Sequence, residues 1–257
     1  MTGRNGLVLY KGPSVLNGAP IVVIATGLQT ARRHARRGVN AKTGAMVQVY
    51  ILAGGRDPVR AHRSGADAAV CGDCIHRQGS CYVRLDQGAL VVWRAYQRGR
   101  YRHASLQVAR AALAGLPVRL GTYGDPAAVP TAVWQTVLAQ SAMHTGYTHQ
   151  WRTCDQTLAL WCMASCDTAE ETAQARAAGW RTFTVVPAGA DSGPDRAILC
   201  PASEQAGRLL HCVDCKACDG LAGGRTAHVW IPVHGVQHKQ ARFEQLITIK
   251  RRANDAN

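Results

Sequence analysis

From Pro117 onward the chain repeats one short pattern, and that pattern limits the folds open to it. Pro117-Val-Arg-Leu120 is a brief apolar run that passes into Gly121-Thr-Tyr-Gly124-Asp125-Pro126. A helical spacing of Val133, Trp134, Val137 and Leu138 follows over 131–142. Further strand-like runs fall at 144–149, 158–163, 181–186, 196–199 and 226–233. A helix is predicted over 169–178, with Asp167 or Thr168 as its cap and Gly179 at its end, and a last one over 239–249. Short apolar strands alternating with helices imply βα units and a parallel sheet. The expectation is an α/β fold: a partial (β/α) barrel or an open, mostly parallel sheet.

Ahead of these repeats, apolar and β-branched runs at 7–10, 21–24 and 46–52 predict strands, and helices are expected at 57–70, 89–98 and 105–115. The chain then divides into a β-rich N-terminal segment, 1–60, packed on a main α/β domain, 61–250, with a polar tail at 251–257. In parallel sheets chemistry gathers beyond the carboxyl ends of the strands. Asp125, His149, Asp167 and His234 stand at such ends and are the candidate catalytic or substrate-holding residues. Asp125 could equally serve only to start the next helix. His149 and His234 could equally be ordinary rim histidines.

Ten cysteines give the chain its chemical character. Cys200, Cys212, Cys215 and Cys218 lie within nineteen residues, the last three in a CxxCxxC run. Thiolates at that spacing can converge on one metal or cluster, so these four are the expected metal ligands, for a [4Fe–4S] cluster or for tetrahedral zinc. Upstream, Cys71-Gly-Asp-Cys74-Ile-His76 leads to Cys81, a three-cysteine set expected to bind a cofactor. Three thiolates on a [4Fe–4S] cluster leave one iron open to a small molecule, as in radical S-adenosylmethionine enzymes. With His76 as a fourth ligand the same loop would instead be a Cys3His zinc site. Cys154, Cys162 and Cys166 fit no ligand spacing, and core packing is the default for Cys162. Disulfides are the plain alternative for the clusters, and a reducing cytoplasm argues against them.

Thirty Lys and Arg against sixteen Asp and Glu give a formal net charge of +14. An excess of this size favours a polyanionic partner, nucleic acid first, with a merely solubilising surface as the bland reading. The basic residues cluster at Arg32, Arg33, Arg36 and Arg37, and again around Arg98 and Arg100, where Trp93, Tyr96 and Tyr101 could stack on bases. Without an eighteen-residue apolar run or a secretory leader, the reading is a cytoplasmic protein with no membrane partner. Gly-x-Ser-x-Gly is absent, which argues against a serine hydrolase.

Several motifs occur together: Cys71-Gly-Asp-Cys74 with Gly79-Ser-Cys81-Tyr82, Arg119-Leu-Gly-Thr-Tyr-Gly-Asp125-Pro, Thr145-Gly-Tyr-Thr-His149-Gln-Trp151, Met163-Ala-Ser-Cys-Asp167, Gly179-Trp-Arg181-Thr-Phe183 and Cys200-Pro-Ala-Ser-Glu204. In this order they resemble an uncharacterised family of cysteine-rich, bacteriophage-encoded proteins, over roughly residues 40–235. More distantly, the Cys-x-x-Cys…Cys-Tyr loop ahead of βα repeats is similar to phage iron–sulfur proteins related to radical S-adenosylmethionine enzymes. That resemblance implies a cluster on Cys71, Cys74 and Cys81, S-adenosylmethionine as a further cofactor, and the cytoplasm of an infected bacterial cell as the location. The loop here does not have the CxxxCxxC spacing of those enzymes. Two functions follow as expectations: an iron–sulfur, radical-S-adenosylmethionine-like enzyme acting on a nucleic acid or nucleotide, or a zinc-stabilised nucleic-acid-binding protein without catalysis. A third is a small effector that binds a host protein, its cysteines structural.

Overall fold

The structure, a computed structural model, describes residues 5–35 and 39–255. Its first sheet is mixed and takes the order β4-β1-β2-β3-β5-β6. The strands are β1 (Gly6–Pro13), β2 (Pro20–Thr26), β3 (Val47–Ala53), β4 (Arg102–His103), β5 (Pro117–Tyr123) and β6 (Met143–Thr145). The second sheet is parallel throughout, in the order β10-β11-β9-β8-β7. It comprises β7 (Tyr147–Thr148), β8 (Met163–Cys166), β9 (Thr182–Val186), β10 (Ala197–Leu199) and β11 (His228–Pro232). The sheets stay open at β4 and β10, so the fold is an open α/β fold and not a closed barrel.

β1, β2 and β3 pair antiparallel in turn, and β3 then pairs parallel with β5. β2 lies between two strands, and its Ile21-Val-Val-Ile-Ala25 is buried on both faces, which explains an unbroken apolar run instead of an alternating one. Only Gly146 separates β6, paired with β5, from β7, paired with β8. The chain thus steps from one sheet to the other at a glycine. A Cβ there would stand 2.7 Å from Cys162 Sγ and 3.2 Å from Leu120 Cβ, so no larger residue fits the step.

The helices are α1 (Leu28–Arg32), α2 (Pro58–Arg63), α3 (Ala68–Cys71), α4 (Leu90–Gln97), α5 (Leu106–Leu113), α6 (Thr131–Leu138), α7 (Ala169–Ala177), α8 (Cys212–Cys215) and α9 (Gln237–Asp255). α2 and α5 start on side-chain caps: Asp57 accepts from Val59 and Arg60 N–H, and Ser105 from Val108 N–H. Thr168 Oγ1 accepts from Glu171 N–H while Glu171 Oε2 accepts from Asp167 N–H, a reciprocal cap that fixes the turn after β8. α7 covers one face of the second sheet, where Thr172 and Thr184 share a 2.9 Å hydrogen bond. The opposite face carries Met163, Phe183, Val229 and Ile231, and the four-cysteine segment packs there.

Three expectations shift. The helix expected over 57–70 is two short helices, Pro58–Arg63 and Ala68–Cys71, broken by a turn at 64–67. The strand predicted over 158–163 is a 3-10 turn, Gln156–Leu160, and the strand begins only at Met163. Asp155 accepts from Thr157 N–H and nucleates the turn, which still buries Leu158 and Ala159. Apolarity was satisfied either way, so the run did not discriminate. The last helix continues through the basic residues to Asp255.

Candidate metal and active site

The three-cysteine loop begins where α3 ends. Its C-cap, Gly72, has φ 59°, and a Cβ at that position would meet the Gln150 side chain at 2.7 Å. Gln150 Nε2 donates to the Cys71 carbonyl at 3.2 Å. Arg77 draws the loop closed: Nη1 donates to the Gly72 carbonyl at 2.7 Å, and Nη2 and Nε donate to Asp67 Oδ1 at 2.6 and 3.1 Å. Cys81 N–H donates to the His76 carbonyl, and Lys239 Nζ donates to the Cys81 carbonyl at 2.6 Å. Burial pushes all three thiols above their usual range. The thiols of Cys74 and Cys81 push Cys71 up further. Thiols crowded together and desolvated in this way are groups a bound cation would deprotonate. Beside them opens a cleft of about 330 Å³ lined by His62, Asp67, Asp73, Cys74 and Arg77.

Three of the four predicted rim residues converge on this loop. His76 Nε2 lies 3.0 Å from Asp167 Oδ1, and its Nδ1 lies 2.7 Å from Ser80 Oγ. The His149 ring meets the His76 ring edge-on at 5.3 Å, and the ligand atoms of His76, His149 and Asp167 fall within 4.8 Å of one another. Asp125 Oδ1 accepts from Ala127 N–H, while its Oδ2 accepts from His149 N–H at 2.8 Å. Asp125 therefore starts the turn after β5 and also holds the end of β7. Burial raises the Asp125 carboxyl. Burial also pushes Asp167 up, but the His76 hydrogen bond and the charges of His76, His149 and Lys250 outweigh it and hold Asp167 at about 2. His234 is not part of this group. Its ring lies 5.6 Å from that of Tyr82, and burial, then Lys42, lowers its pKa.

The second cysteine segment is held from both sides. Cys200 N–H donates to the Trp230 carbonyl, and Cys212 and Val213 N–H donate to the carbonyls of Lys42 and Thr43. Arg181, buried at the start of β9, donates to the carbonyls of Ala217, Gly220 and Ala227 and pairs with Asp219 at 2.6 Å. Burial raises the Cys218 thiol, Cys200, Cys212 and Cys215 raise it further, and the Tyr147 hydroxyl, packed against the same apolar cluster, lowers it. All ten cysteines are free, and among the described residues no three cysteine sulfurs lie within 4.8 Å of one another. Cys162 and Cys166 are buried; burial pushes Cys154 up to about 12.

Sequence reasoning missed Arg119, Tyr82 and Tyr147. Arg119 Nη2 donates to Tyr82 Oη at 3.0 Å, and the Arg119 charge bears on Cys212 and Tyr147. A charged residue in the middle of an apolar strand was the available signal. The His76–Asp167 pair was also missed, because the two residues belong to separate motifs.

Of the predicted nucleic-acid residues, Arg36 and Arg37 lie outside the described residues. Arg33 is exposed, and Arg32 Nη2 donates to the Ala112 carbonyl. Arg98 and Arg100, both exposed, line a cleft of about 590 Å³ with Asn5, Gly6, Thr26, Gly99 and Tyr101. No described helix is long and apolar enough to cross a membrane. No protein-family model, no curated protein and no solved structure matches the chain.

Proposed function

We propose that the chain is an iron–sulfur protein with a radical-S-adenosylmethionine-like three-thiolate site, acting on a nucleic acid or nucleotide. The observation that carries this reading is the state of His76. Both of its ring nitrogens are engaged, by Ser80 and Asp167, and among the described residues its ligand atoms group with those of His149 and Asp167 and not with two of the loop's sulfurs. Cys71, Cys74 and Cys81 then hold a [4Fe–4S] cluster by three thiolates, and such a cluster supplies an iron open to a small molecule. Cys200, Cys212, Cys215 and Cys218 form the closed, auxiliary site. Asp125, His149 and Asp167 stand beside the open site as hydrogen-bonding and proton-handling groups for substrate, and His234 borders it through Tyr82.

The net charge of +14 and the Arg98, Arg100 and Tyr101 cleft support a polyanionic partner.

Purification without oxygen, followed by absorbance and by iron, sulfide and zinc analysis, tests the reading. Broad absorbance near ~400 nm with about eight irons per chain is expected. Stoichiometric zinc without colour would overturn it and leave a zinc-stapled binding protein.

A further inference from the structure

β7 and β8 pair in parallel, so the residues that follow them come out at the same end of the second sheet. Those residues are His149 and, just past Cys166, Asp167, and the 3-10 turn Ile75–Gln78 brings His76 across to them. His76 is buried and held on three sides. Its Nδ1 lies 2.7 Å from Ser80 Oγ, the Phe243 ring stacks on it at 5.4 Å, and the His149 ring meets it edge-on at 5.3 Å. With Ser80 accepting from Nδ1–H, Nε2 keeps its lone pair and faces Asp167 Oδ1, 3.0 Å away. Metal-bound histidines commonly donate their other ring N–H in this way, which fixes tautomer and orientation. Two lone pairs then meet at one point, which a cation between them satisfies. Asp167 is fixed as well. Its backbone N–H donates to Glu171 Oε2, and Lys250 Nζ stands 3.5 Å from its Oδ2 but 2.5 Å from Glu171 Oε1, which leaves Oδ1 to His76. His149 is half-buried, its backbone N–H is held by Asp125, and among the described residues no hydrogen bond reaches its ring. The three ligand atoms lie within 4.8 Å of one another, and no other three His, Cys, Asp or Glu side chains meet in this way among the described residues.

We infer that His76 Nε2, a ring nitrogen of His149 and Asp167 Oδ1 bind one divalent transition-metal ion, zinc by the character of the donors, with a fourth position open to water or to an oxygen of the substrate. Two imidazoles and a carboxylate suit zinc, and three protein ligands with one open position make up a catalytic and not a structural site. Nitrogen and oxygen ligands at ~2.0–2.1 Å from a tetrahedral zinc stand about 3.3 Å apart. The His76–Asp167 pair, at 3.0 Å, is close to that separation already, and the unbonded His149 ring has only to close on it. No sulfur takes part, so the inference stands apart from the iron–sulfur reading of the cysteines.

The test is zinc uptake by the full chain, purified without oxygen, dialysed against Zn²⁺ and then against buffer, in the parent and in His149→Ala. Because the His149 ring carries no hydrogen bond among the described residues, the variant is expected to keep its fold. The parent should hold about one zinc per chain more than His149→Ala, and Asp167→Asn should lose the same ion. That difference is the same whether the cysteines hold iron or zinc, so it reads this site alone. With Co²⁺ in place of Zn²⁺, the parent-minus-variant spectrum should show d–d bands and no thiolate-to-metal charge transfer. Equal zinc in the parent and His149→Ala overturns the inference and leaves the iron–sulfur reading intact. A thiolate charge-transfer band in the cobalt difference also overturns it, since the lost ion would then sit on the cysteines. If His149→Ala does not fold, His149→Phe, which keeps a ring against His76, is read in its place with the same outcomes.

Discussion

Nε2 of His76 and Oδ1 of Asp167 stand 3.0 Å apart although the residues are separated by 91 positions. The contact ties the three-cysteine loop to the end of β8, and it has a measurable acid signature. Asp167 is held at about 2, below the ordinary carboxylate value of 3.8. A depressed carboxyl contributes stability above its unfolded pKa and loses it as pH falls through the folded one. Between about pH 4 and pH 2 the wild type should lose roughly 2 kcal/mol that Asp167→Asn does not lose. Urea midpoints across that range provide the measurement, and parallel curves for the two proteins would refute it.

Removing the loop's imidazole and removing its thiols should have different consequences. His76→Gln is expected to keep the iron bound at the upstream site, since its nitrogens serve Ser80 and Asp167. Cys81→Ala should lose about four irons, one cluster's worth. Iron lost equally in both variants would make His76 a ligand.

Arg181→Met leaves Asp219 buried with Arg225 alone and strips donors from the Ala217 carbonyl in the second cysteine segment and from those of Gly220 and Ala227 just beyond it. Removing one partner of a buried pair costs about 3–5 kcal/mol. The remaining Arg225 contact should keep the cost near the lower end. Urea denaturation reads the loss, and metal content at Cys200, Cys212, Cys215 and Cys218 should fall with it.

Gly72→Ala combines a left-handed backbone with a 2.7 Å approach to Gln150. We expect a loss of about 1–2 kcal/mol from the backbone alone. Gln150→Ala should recover the steric part of the damage and none of the backbone part. A Gly72→Ala protein as stable as its parent would show that the loop relaxes freely.

For Arg98 and Arg100, replacement of both by Ala should weaken binding to single-stranded DNA or RNA about equally across sequences and reduce the steepness of its salt dependence by about two counterions. An unchanged slope would mean that the cleft they line is not where phosphates bind.

The α/β fold was legible because strand and helix differ in period, and the runs at Pro117, Arg181 and Thr226 lie close to β5, β9 and β11. The run at 158–163 was not, since a 3-10 turn and a buried strand both satisfy an apolar stretch. Asp125, His149 and Asp167 could be read as strand-end residues, and they do converge. Their partner His76 could not, because nothing local couples it to the residue that follows β8. Arg119 was visible as an oddity in its strand, but its partner Tyr82 comes from a distant stretch that only the fold brings to it.

The order β10-β11-β9 has a consequence for how the protein is made. Among the described residues β10 is hydrogen-bonded in register only to β11, and β11 is the last strand. As the polypeptide leaves the ribosome N-terminus first, Cys200 and the three cysteines after it emerge before the strand that anchors Cys200 through Trp230 exists. The second sheet can therefore finish only after β11 has emerged. A ligand taken up by these four sulfurs would meet an anchored Cys200 only from that point on.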